Sequence, residues 1–187
     1  DNIVPSKIII KLPPPSPTPD FAATPTPKPE TTPEIPPEDI RYISVVDLSG
    51  IDLYAISLLI QIDDRWSDIY QNTFEVMKNS YLSGDFSYFR PAFDLSTRTY
   101  IPFIGNQPIF VTLEQIKILI SLAEAGETNY PAYSYLKQKI LNSNALYLNY
   151  QIPSGTPVTN FESIEGYALM AKMARIMEDV QVYETCI

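Results

Sequence analysis

The sequence predicts a mainly α protein: an array of about three αα-hairpins with short β-hairpin-like loops, preceded by an extended proline-rich arm with one N-terminal strand. Three observations predict it. Twelve of the 18 prolines fall in the first 37 residues, and none of the six glycines comes before Gly50. Beyond Ser49, apolar residues recur at i, i+3, i+4 and i+7 in paired segments, the spacing of amphipathic helices. Leu53 and Leu113 open first helices sixty residues apart, the mark of a repeated αα unit. Residues 1–12, 13–40 and 41–187 are read as strand segment, linker and helical domain.

In the arm, Ile8-Ile9-Ile10 is β-branched and flanked by lysines, which reads as one short strand. It has no partner within the arm, so it is expected to add to a sheet edge of this body or of another copy. Pro13-Pro14-Pro15 through Pro36-Pro37 fix φ and remove backbone donors, which excludes helix and central strand. An extended, polyproline-II-like strut remains. Its Pro/Thr/Ser content also suits O-glycosylation or an unmodified spacer.

The first helical pair covers Asp52 to Asp63, with Leu53, Ile56, Leu59 and Ile60 on one face, and Trp66 to Leu82, with Ile69, Tyr70, Phe74, Met77 and Tyr81 at core spacing. Trp66 is expected to staple this hairpin. The second pair begins with Thr112 as N-cap of Leu113 to Ala125 and Gly126 as its stop. Its partner opens at Pro131 and runs to about Asn142. The third pair runs from near Glu162 to Glu178, with a Met170/Met173/Met177 stripe, and Val180 to Ile187 starts its second helix. Aromatic, turn-containing segments follow the first two pairs, at 86–100 and 146–156.

Composition narrows the chemistry. The net charge of −9 and the lack of Lys/Arg clusters argue against nucleic acid, whose phosphates require basic patches. No apolar run reaches the roughly 20 residues of a membrane span. Histidine is absent, which removes the commonest general base and zinc ligand. Cys186 is the single cysteine, which excludes an intrachain disulfide and argues against a thiol metal site; neither metal nor cofactor is expected. Catalysis, if present, must use carboxylates, Tyr, Lys or Arg.

Three stretches carry a family likeness: Ser49-Gly50-Ile51-Asp52-Leu53-Tyr54-Ala55, Asp94-Leu95-Ser96-Thr97-Arg98-Thr99-Tyr100, and Glu162-Ser163 followed by Tyr167-Ala168-Leu169. Over residues 43–187 the chain resembles the C-terminal half of family 8-like glycoside hydrolases, six-hairpin (α/α)6 toroids that cleave β-linked polysaccharides with inversion. The resemblance implies half of a toroid. It also implies Asp52 as general base, although the arginine that follows in that family is absent and Tyr54 and Ile56 stand nearby instead. The family's general acid would lie on a helix preceding this chain. Glu165-Gly166-Tyr167 echoes the acid motif, but its glutamate is two residues from the tyrosine instead of four, which turns it about 200° on a helix.

Inverting hydrolysis needs two carboxyl groups roughly 6.5–9.5 Å apart, one protonated and one ionised. Asp52, Asp94, Glu114, Glu162 and Glu165 all sit near loops or helix starts, where capping and the helix dipole explain an acid without catalysis. Tyr88, Phe89, Phe93, Tyr100, Tyr147 and Tyr150 read either as a sugar-stacking wall or as core and interface packing. The leading expectation is a secreted or cell-surface assembly subunit with a degenerate glycosidase-like helical domain, non-catalytic and self-associating through its arm into an oligomer or filament. The alternatives are the C-terminal part of an inverting polysaccharide hydrolase and a carbohydrate-binding module.

Overall fold

A computed structural model describes residues 44–84, 86–103, 107–143 and 145–187. The arm, including Ile8, Ile9 and Ile10, lies outside the described residues. The described chain holds six helices and seven short strands. The helices are α1 (Leu53–Ile60), α2 (Trp66–Asn79), α3 (Thr112–Glu124), α4 (Pro131–Ser143), α5 (Ile164–Ile176) and α6 (Val180–Cys186). They follow one another as three consecutive pairs, and the protein is mainly α.

Helix α3 is the centre of the core. It packs between α1 and α5 and also touches α2 and α4. Nine of its residues are buried, among them Ile116, Ile118, Leu119 and Leu122. A helix apolar around its circumference needs neighbours on every side, and α3 has them. Helix α2 packs on α1, while α6 packs on both α5 and α4.

Three polar contacts join these elements. The α1 N-terminus gives its Leu53 N–H to the buried Ser121 hydroxyl of α3 at 3.0 Å, satisfying a donor that a helix start otherwise leaves free. Gln115 of α3 accepts the Phe89 N–H at 2.7 Å and donates to the Phe89 carbonyl at 2.9 Å. Asp179 accepts from Lys137 Nζ at 2.6 Å and from the Tyr133 hydroxyl at 2.9 Å, and it caps α6 through the Val182 N–H. Burial works against ionising Asp179, but the Lys137, Tyr133 and Val182 donors outweigh it and lower its pKa. Helix α4 is thereby tied to α6.

The strands form three small antiparallel sheets. β1 (Val45–Asp47), β4 (Ala92–Asp94) and β5 (Thr99–Ile101) make one in the order β1-β4-β5. β2 (Tyr81–Leu82) pairs with β3 (Tyr88–Phe89), and β6 (Ile109–Val111) pairs with β7 (Asn149–Gln151). The first aromatic segment therefore folds on itself as a hairpin through β4 and β5. The second also turns back on itself, the Gln151 N–H donating to the Thr156 carbonyl and Tyr150 bridging to Pro157, but its strand β7 pairs with β6 as well, which sets Tyr150 opposite Phe110, forty residues earlier. Sequence periodicity cannot register such a long-range pairing.

Helix ends follow the expected boundaries with two corrections. Helix α2 stops at Asn79, and Tyr81 and Leu82, expected as its last turn, form β2 against β3 instead. Gly126 stops α3 at φ 91, the left-handed conformation that glycine adopts without Cβ strain. Thr112 is not an N-cap; it is the first residue of α3, and its hydroxyl donates to the Tyr147 carbonyl at 2.6 Å. That bond ties α3 to the strand segment before β7, a tertiary use of a side chain whose local role was capping.

Candidate functional site

The loop entering α1 is short and turned by a 3-10 segment, Leu48–Gly50, whose Asp47 carboxylate accepts from the Ser49 N–H. This loop packs against α3. Between it and the adjacent faces of α3 and α5 lies a cleft of about 180 Å³. Asp52 stands on the loop side, Lys117, Ser121 and Glu124 on α3, and Leu169 and Lys172 on α5. Two ion pairs bridge the helices along it: Lys172 to Glu124 at 2.7 Å and Lys117 to Glu165 at 3.1 Å. Each pair is seven residues from the next on both helices, so α3 and α5 run side by side in the same direction. The cleft thus alternates donor and acceptor side chains around Leu169, an arrangement able to meet the hydroxyls and one apolar face of a sugar.

Asp52 is exposed, and its carboxylate accepts the Ala55 N–H at 2.9 Å as N-cap of α1. Glu124 and Glu165 are the other carboxylates at the cleft and its margin. The remaining acids singled out from the sequence lie elsewhere in the network. Asp94 accepts from the Ser96 hydroxyl and N–H and from the Thr97 N–H. Those bonds, the Ser96 hydroxyl first, hold its pKa at about 2 and close the β4–β5 turn. Glu162 accepts the Tyr167 hydroxyl at 2.6 Å. Burial and then Glu162 push that phenol up to about 12.

Glu114 is half-buried on the first turn of α3. Burial, and then the nearby Asp47 carboxylate, raise its pKa. A raised acid disfavours the fold above its folded pKa and is neutral below its unfolded value near 4.3. Glu114→Gln is therefore expected to increase stability at neutral pH, with the gain vanishing below about pH 4. Urea unfolding at the two pH values measures this; an equal gain at both would assign the effect to something other than charge.

The aromatic candidates are dispersed. Phe89 and Tyr150 have no exposed surface, and Tyr88 keeps 8%, so none of the three offers an open ring face. Tyr88 stacks on Phe103 with centroids 5.9 Å apart. Tyr150 sits edge-on among Phe110, Tyr135 and Tyr147. Tyr100 and Phe93 pack against each other across β4 and β5. The Tyr100 hydroxyl donates to the Val76 carbonyl, while the Arg90 guanidinium covers its ring at 3.9 Å. Tyr147 is half-buried and donates its N–H to the Tyr150 hydroxyl. These rings form no common wall at the cleft.

Lys117, Ser121, Glu124 and Lys172 were not singled out from the sequence. A signal was present: Lys and Glu seven residues apart on α3, then Glu and Lys seven apart in reverse order on α5. Reading it requires knowing that the two first helices are neighbours. Among the described residues, no group of three or more His, Cys, Asp or Glu side chains could hold a metal ion. No described helix is long and apolar enough to cross a membrane.

No protein-family model matches the chain, and no curated protein matches it in sequence. Solved structures do match in fold. An alpha-amylase from Clostridium perfringens superposes with a TM-score of 0.69 at 22% identity, over 78% of this chain and 42% of its own. PssZ from Listeria monocytogenes superposes with a TM-score of 0.61 at 12% identity, over the same shares. The fold is glycosidase-like, and the chain spans less than half the length of the solved proteins that it matches.

Proposed function

We propose that this chain is a carbohydrate-related unit, an extracellular assembly subunit that engages a polysaccharide at the α1–α3–α5 cleft without hydrolysing it alone. The glycosidase-like fold supports the carbohydrate reading. The commitment of the cleft's acids carries the non-catalytic one. Hydrolysis with inversion needs a protonated carboxyl for the leaving group and a free carboxylate for water. Here Asp52 caps α1, and Glu124 and Glu165 are held in ion pairs. The proline-rich segment 13–40 would act as a stiff tether and residues 1–12 as its docking strand, ahead of a domain at 41–187 that corresponds to half of a family 8-like toroid.

The hydrolase reading keeps one supporting observation. The matched region is 42% of the alpha-amylase chain, so a general acid could come from a segment outside the matched region, with Asp52 as base. Calorimetric titration with β-glucan oligosaccharides, paired with an assay for released reducing ends, separates the two. Binding without release is expected, and replacing both Lys117 and Lys172 by alanine should weaken it at least about tenfold, the effect of losing one to two charged hydrogen bonds. Release of reducing ends that Asp52→Asn abolishes would establish the hydrolase instead.

A further inference from the structure

Among the described residues only two aromatic side chains are exposed, Tyr54 and Phe161. Tyr54 belongs to the apolar helix α1. Phe161, the more exposed at 70%, does not: it lies in a polar loop, Thr159-Asn160-Phe161-Glu162, that leads into α5 and is exposed throughout. The sequence gives this ring no helical or alternating pattern that would mark it.

The backbone beneath the ring is pinned. The Phe161 carbonyl accepts the Leu148 N–H at 3.0 Å, Glu162 bridges to Tyr147, and the Ser163 N–H donates to the Leu146 carbonyl at 2.7 Å. At the far side of the loop the Val158 N–H donates to the Asn149 carbonyl at 3.0 Å. An aromatic ring on a fixed backbone loses little conformational freedom when it is covered. The same bonds place it. Segment 146–148 is tied to the first residue of α3 through the Thr112 N–H and hydroxyl. Ser163 caps α5, and Glu165 in the first turn of α5 pairs with Lys117 at the cleft margin. Phe161 therefore stands where α3 and α5 begin, at the end of the cleft marked by the Lys117–Glu165 pair; the Lys172–Glu124 pair marks the other end.

We propose that Phe161 is the stacking ring of the polysaccharide site, extending the α1–α3–α5 cleft past the Lys117–Glu165 pair to an uncharged sugar. The inference rests on the carbohydrate reading of that cleft. The C–H face of a pyranose is drawn to an aromatic face, its positive hydrogens lying on the negative π cloud. Its hydroxyls need partners at the rim of the ring. Thr159, Asn160 and Glu162 bring a hydroxyl, an amide and a carboxylate there. The core of a protein interface is instead depleted of charged side chains. Glu162 and Glu165 outnumber Lys117 at this end of the cleft, in a chain of net charge −9. That field disfavours a polyuronate and leaves a neutral polysaccharide as the ligand.

Calorimetric titration of the full-length chain with β-glucan oligosaccharides tests it. Phe161→Ala should weaken binding about tenfold. Phe161→Leu, apolar but without a π face, should lose nearly as much, and Phe161→Trp should retain the native affinity. Urea midpoints of all three should match the native chain, because the side chain is largely in solvent. Oligogalacturonate should bind far more weakly than the neutral sugar. Native affinity in Phe161→Ala, with the Lys117/Lys172 alanine pair still weakened, overturns the inference and leaves the carbohydrate reading standing. A native chain that binds no oligosaccharide overturns both. Equal losses in the leucine and tryptophan variants overturn stacking, and tight oligogalacturonate binding overturns the uncharged ligand. A native oligomer that Phe161→Ala dissociates in sedimentation would assign the ring to a protein contact, which also overturns the inference.

Discussion

Tyr150→Ala is expected to lower stability by about 3–5 kcal/mol, the range for truncating a fully buried aromatic. Tyr150 has no exposed surface and lies edge-on to Phe110, Tyr135 and Tyr147. The Lys139 ammonium stands 5.1 Å from its ring centroid and from that of Tyr135. Removing the ring opens a cavity where β7, α4 and β6 meet, and rigid neighbours collapse into it only in part. Tyr150→Phe keeps the ring but strips the acceptor from the Tyr147 N–H, held at 3.0 Å, and should cost about 1–2 kcal/mol. Urea unfolding measures both. Loss of oligosaccharide affinity with unaltered unfolding would return Tyr150 to the sugar-stacking role its sequence context suggested.

Gln115→Ala should cost about 2–4 kcal/mol, since each buried backbone group left unpaired costs about 1–3. The Gln115 amide is 2% exposed and satisfies both the N–H and the carbonyl of Phe89. Gln115→Leu separates hydrogen bonding from volume: it fills the space and still orphans both groups, so it should be nearly as damaging as alanine. Gln115→Glu should fall between, because a carboxylate accepts the N–H but donates nothing to the carbonyl. A leucine variant as stable as the native chain would show that packing alone holds β3 on α3. Ranking the three by urea midpoint decides the matter.

The helices were legible because their signals are local. Leu53, Ile116 and Met170 recur with their neighbours at the period of an α-helix, and Gly126 and Pro131 punctuate the second pair at its turn. The β4–β5 hairpin was legible for the same reason, its strands being separated by one turn. The β6–β7 pair was not, since Phe110 and Tyr150 meet only after two helices have folded between them. Thr112 illustrates the limit in one residue: local sequence offers it as a cap, and a carbonyl at Tyr147 claims its hydroxyl instead.

The candidate site divides along the same line. Asp52 could be picked out because capping and catalysis both favour an acid at a helix start, and local sequence does not distinguish them. Its company could not be picked out. Lys117, Glu124, Glu165 and Lys172 become one charged cleft only when α3 and α5 lie parallel, and Ser121 matters only because the α1 N-terminus lands on it. The aromatic residues show the converse. Their abundance left sugar stacking and core packing both open, and burial places Phe89 and Tyr150 in the core.

By itself the sequence determined the three helical pairs, their boundaries to within a few residues, and the absence of histidine chemistry, all properties of neighbouring residues or of composition. Tertiary structure alone decided which side chains share a cleft and which rings are hidden. The physical reason is range. Helix formation is governed by contacts three or four residues apart, whereas a cleft and a buried ring depend on which distant elements come to rest beside one another.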